Sequence, residues 1–184
     1  MSTTGSYLHA LQTALLSFNP TAVRASIKRM LHRRAKALFF GVPIPRDYID
    51  LIELAHGLAS CGQVEAVHML LDAGFPVDTI LSERKNWYCD TMLEAAVAAG
   101  YRGRVNWDGK QQMITVLLLA GADPSRPVRN LDFPGCDKPL TSVINSLPVA
   151  RLFVESGVPS SAFKGLCTKA RAKLGAVKAG EQAR

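Results

Sequence analysis

Four histidines, four cysteines and one loose cluster of acids are the residues here that could make or break bonds. His9, His32, His56 and His68 are scattered along the chain. A general base needs a partner within hydrogen-bond reach, and none of the four sits in a recognisable catalytic pattern. No serine elbow, glycine-rich phosphate loop, HExxH or paired-carboxylate motif occurs. His68 lies in an expected helix with no acid that it must face. Cys61, Cys89, Cys136 and Cys167 are far apart and form no CxxC or Cys/His ligand pattern. They read as isolated thiols in a reducing compartment. Asp47, Asp50 and Glu53 fall near an expected helix start, where acids oppose the helix dipole without catalytic work. The sequence therefore offers no catalytic residue, no metal site and no cofactor site, and an enzyme is not expected.

The charge is more informative. The 184 residues carry a net charge of +7, unevenly spread. Arg24, Lys28, Arg29, Arg33, Arg34 and Lys36 lie in one short stretch without an acid. At helical spacing Arg24, Lys28, Arg29, His32, Arg33 and Lys36 share one stripe, and Val23, Ile27, Met30, Leu31 and Leu38 share another. Arg24, Lys28, Arg29, Arg33 and Lys36 are thus candidate anion-binding residues, for nucleic acid or acidic lipid head groups. The plainer reading is a solvated face on a terminal cap. No aromatic residue interleaves the arginines, and no helix-turn-helix or zinc module is present. A partner protein with an acidic face would use the same strip.

Two further segments have interface chemistry. Ser82 to Tyr88 contains Arg84, Lys85, Trp87 and Tyr88, the make-up of a binding hot spot. Alternatively Trp87 folds back over a neighbouring core. Tyr101 to Lys110 contains Arg102, Arg104 and Trp107 and reads as an insert on the opposite rim. Asn106-Trp107-Asp108-Gly109 has turn chemistry, which suits an ordered loop and a second contact site.

The elements that would position these residues repeat. An apolar run ending in glycine occurs at Gly41, Gly74, Gly121 and Gly157, at intervals of 33, 47 and 36 residues. Within the second unit, Glu53-Leu54-Ala55-His56-Gly57-Leu58-Ala59-Ser60-Cys61-Gly62 precedes the ridge Gln63 to Leu71. The third pairs Thr91 to Gly100, with Thr91 as N-cap, with Met113 to Leu119. The fourth begins Lys138-Pro139-Leu140-Thr141, with Pro139 in a first helical turn and Pro148 opening a second helix. The first is loosest: Asn19-Pro20 separates two helices, and Thr21 to Phe40 is long enough to be bent or split.

Segment 53–62 resembles the ankyrin opening T-P-L-H-x-A-A-x-x-G, with His56 at the histidine position, and a period near 33 fits that family. The resemblance covers about residues 20–160, and T-P-L-H is missing from the first and fourth units. It implies an all-α, ankyrin-like solenoid of helical pairs with long hairpin loops and helical caps. It also implies that His56 hydrogen-bonds within its repeat, and that hairpin tips and first helices bind another protein. Such a chain is expected to be a non-catalytic interaction module, a stand-alone bacterial or viral adaptor, effector or inhibitor. Nucleic-acid or anionic-surface binding through the Arg24–Lys36 strip is the alternative.

Residues 1–5 read as a disordered lead, 6–160 as one repeat domain, and 161–184 as a basic helix with a frayed tail. Phe163, Leu166, Ala170 and Leu174 give that last helix a narrow apolar face. An apolar content of 48% with 20% charge argues against disorder. No run reaches the roughly 18–20 apolar residues that span a bilayer, and no secretory signal is evident. A cytoplasmic protein is expected, with export by a specialised apparatus left open.

Overall fold

The computed structural model describes residues 4–80, 91–99, 107–128, 138–144, 146–164 and 166. Among them the architecture is all-α, with eight α-helical segments. The first, α1, spans Thr4–Leu16 and so begins inside the segment read as a lead. The second, α2, spans Pro20–Phe39. Its start follows from sequence: Asn19 accepts a hydrogen bond from the Ala22 N–H at 3.0 Å, and proline fills the first turn. It is one continuous helix of 20 residues and is not split. Val23, Ile27, Met30 and Ala37 are buried along it, so one stripe holds the whole length in place. Ala37, not Leu38, completes that stripe, and Leu38 is exposed.

Helix α3 spans Arg46–Ser60 and α4 spans Val64–Asp72. Helix α5, Met92–Ala99, opens where the Thr91 hydroxyl accepts the Glu94 N–H at 3.2 Å. Helix α6 spans Trp107–Leu119. Trp107, Asp108 and Gly109 are therefore its first turn rather than a loop. Burial decides this: Lys110, Met113, Ile114 and Leu117 are buried at helical spacing, so the inward stripe extends a turn earlier than the apolar residues alone suggest. Two-residue strands follow, β1 at Pro127–Val128 and β2 at Lys138–Pro139, paired antiparallel with Pro127 opposite Pro139. Pro139 thus ends a strand, and the short α7 begins after it at Leu140 and ends at Val143. Helix α8, Leu147–Glu155, has Pro148 in its first turn.

The helices form two layers. Helix α1 packs on α2 and α3, and α3 packs on α5, while α2, α4, α6 and α8 pack in sequence alongside. Small residues such as Ala55, Ala59, Ala95 and Ala96 are buried in α3 and α5, which lets those helices approach closely. Phe163 and Leu166 close the core after α8, with the Phe163 ring edge-on to Phe153. No described helix is long and apolar enough to cross a membrane.

One helix ending recurs. At Gly74 (φ +91°) the N–H donates to Leu71 C=O and the next N–H, of Phe75, reaches back to Leu70 C=O. The same two bonds form at Gly41, Gly62, Gly121 and Gly157, all with positive φ. This is the left-handed stop that glycine adopts without a Cβ penalty. The end of α1 makes the same bonds with Phe18 at φ +48° in glycine's place, a strained and exposed position.

Two substitutions separate these roles. A Cβ at either Gly74 or Gly57 meets open space, but Gly57 is helical. Gly74→Ala is expected to lower stability by about 1 kcal/mol. Gly57→Ala should raise it by about 0.5–1 kcal/mol. Urea unfolding reads both signs, and a loss at Gly57 would contradict this account.

Candidate functional site

The basic strip is real and is partly tied down. Arg24, Lys28, Arg29 and Lys36 are exposed along α2. Arg33 is not a free member: its guanidinium forms an ion pair with Asp47, the second residue of α3. The Asp47 side chain is completely buried, and its second oxygen, Oδ1, has no hydrogen-bond partner among the described residues. Three guanidiniums also lie over aromatic faces. Arg29 and Arg33 stand 5.2 and 5.4 Å from the Tyr7 ring, and Arg34 stands 5.1 Å from Tyr48. Cation–π contacts at such distances hold the cations in place while leaving their charge. Asp47 thus serves as counter-ion to the strip, rather than merely as an acid in a first helical turn. Asp50 takes Arg46 at 2.7 Å.

The end of α2 carries a feature that the glycine pattern concealed. Phe39 is 83% exposed and Phe40 63%, their rings edge-to-face at 5.0 Å. Leu38 and Val42 are exposed on either side. At the other end of the helix Leu16 and Phe18 are exposed too. The signal was present: three consecutive large apolar residues before Gly41 cannot all fit one buried stripe.

Two tips, the turns that follow the stops at Gly74 and Gly121, are joined. The His56 ring, buried in α3, lies with Nε2 at 3.3 Å from the Thr79 carbonyl. One tip then bonds the next: the Asp78 carboxylate accepts the Asp123 N–H at 3.2 Å, and the Asp78 carbonyl accepts from Arg126 at 2.6 Å. Asp123 in turn accepts from the Ser125 hydroxyl and N–H. Those bonds hold the Asp123 carboxyl below the usual carboxylate range. An apolar cavity of about 530 Å³ lies beyond, between Pro124 and the turn at Gly157–Pro159.

Arg84, Lys85, Trp87, Tyr88, Arg102 and Arg104 lie outside the described residues. The first four belong to residues 81–90, between Ile80 and Thr91, and Arg102 and Arg104 to residues 100–106. Trp107 is the first residue of α6. His68 does face an acid, with Nδ1 at 3.0 Å from Asp72 one turn on. Burial pushes the Lys110 ammonium toward lower pKa. Among the described residues no group of histidine, cysteine or acid side chains could hold a metal ion. Cys61 is a free, exposed thiol. No protein-family model matches the chain, and no curated protein or solved structure matches it.

The Arg33–Asp47 pair should respond asymmetrically. Arg33→Met strands a buried carboxylate and is expected to cost about 3 kcal/mol. Asp47→Asn leaves a half-exposed cation that solvent can reach, and should cost about 1 kcal/mol. Equal losses in thermal melts would overturn this assignment. For Asp123, a folded pKa below the unfolded one places its stabilisation above the ordinary carboxylate range. The tip turn should therefore loosen only as pH falls below about 4, seen as faster Ser125 amide exchange after correction for intrinsic rates.

Proposed function

We propose that the chain is a non-catalytic interaction module of ankyrin type, which holds another protein on its hairpin tips and on the segment 81–90. The observation that carries this reading is the bonding of one tip to the next through Asp78, Asp123 and Arg126. A row of tips fixed to one another loses little further freedom when a partner binds, and such preorganisation favours affinity. The two helical layers, the recurrent glycine stops and the histidine held to Thr79 support the family reading. The segment 81–90, with Arg84, Lys85, Trp87 and Tyr88, supplies the aromatic and basic groups that dominate interfaces. In this role the protein works as an adaptor, or as an effector or inhibitor that occupies its target.

Affinity capture with the purified chain, followed by mass spectrometry, would identify the partner. Against that purified partner, Trp87→Ala and Tyr88→Ala are each expected to weaken binding by about tenfold or more, with the melting temperature unchanged. Unchanged affinity in both variants would remove the loop from the interface.

A further inference from the structure

We propose that α2 docks on an anionic lipid surface, with the knuckle Leu38–Val42 inserted among acyl chains and the basic stripe on the head groups. Phe39 and Phe40 are both largely exposed, and Leu38 and Val42 extend the same apolar knuckle. Leu38 and Phe39 leave the helix about 100° apart, and Phe40 and Val42 follow beyond its end, with the Phe40 ring edge-on to Phe39. A groove on a partner covers one face of a helix; a hydrocarbon layer accepts apolar groups from every side.

Electrostatics fixes the rest of the choice. Arg24, Lys28, Arg29 and Lys36 are exposed along the same helix, so whatever covers the knuckle meets positive charge. A second copy of this chain placed symmetrically would set one stripe against the other, which opposes that pairing. An anionic bilayer attracts each such cation at its surface and buries the apolar end. Leu16 and Phe18 are exposed at the opposite end of α2, roughly 30 Å away at 1.5 Å per residue. Apolar groups at both ends with cations between suit an extended, flat target. The proposal is independent of the tip site, which lies on other elements.

The test is co-sedimentation of the full chain with vesicles. One set is phosphatidylcholine alone, the other contains about one-third phosphatidylglycerol. Retention is expected on the anionic vesicles only, falling steeply between about 50 and 500 mM NaCl as charges are screened. Phe39→Ser/Phe40→Ser should reduce the partition constant by about tenfold or more. Arg24→Gln/Lys28→Gln/Lys36→Gln should flatten the salt dependence. All five positions are exposed, and circular dichroism melts would show the fold intact. Phe39→Trp should add a blue-shifted emission component that brominated lipids quench. Equal retention by both vesicle types, retention unaffected by the phenylalanine changes, or retention only on duplex DNA would each overturn the proposal.

Discussion

Helix packing in this chain rests on a backbone event, the left-handed residue that ends six of the eight described helices. At Gly41, Gly74, Gly121 and Gly157 two reversed hydrogen bonds satisfy carbonyls that a helix end otherwise leaves open. They also fix the direction in which the chain departs. At Gly74 and Gly121 that direction carries the chain into two turns that meet. Phe75 and Ala122, the residues following Gly74 and Gly121, are both buried. The stop is therefore anchored by packing as well as by hydrogen bonds, and the next tip starts from a fixed point.

Tip-to-tip bonding is a consequence. Asp78 and Asp123 sit four and two residues beyond their respective glycines, close enough to the fixed point for one to reach the other. A side chain that receives a backbone N–H from a turn 45 residues further on ties the two turns together directly. His56 adds a second constraint, running from the buried face of α3 to the Thr79 carbonyl. The turn at Asp78 and Thr79 is consequently held from two sides, by the buried His56 ring and by the turn at Asp123–Arg126.

Local rules made some of this legible and failed where the deciding contact is remote. Thr91 as a cap, Pro148 in a first turn and the glycine stops depend on a few neighbouring residues, so the sequence carries them openly. Turn chemistry at Trp107–Gly109 is equally local, yet it yields to the burial of Lys110 and Met113 against the rest of the core. Arg33 and Asp47 are 14 residues apart in different helices. Nothing in a run of six cations indicates that one of them is answered by a buried carboxylate on the next element. Leu38 was misplaced by a single residue, which on a helix is a rotation of about 100° and enough to move it from core to solvent.

That rotation has a consequence for how α2 would approach a surface. Its cations act at range, since screening at physiological salt leaves attraction effective over about 8 Å. Its exposed phenylalanines act only on contact, because apolar burial requires water to be expelled. Charges and apolar groups on one rigid helix thus divide docking into steering followed by insertion. The ion pair to Asp47 and the stacking over Tyr7 and Tyr48 bear on the first step. By restraining part of the strip against neighbouring side chains, they reduce the freedom that its long side chains must give up when a surface arrives. Arg33, held most firmly, contributes less to direct contact and more to the orientation of the helix that carries the others.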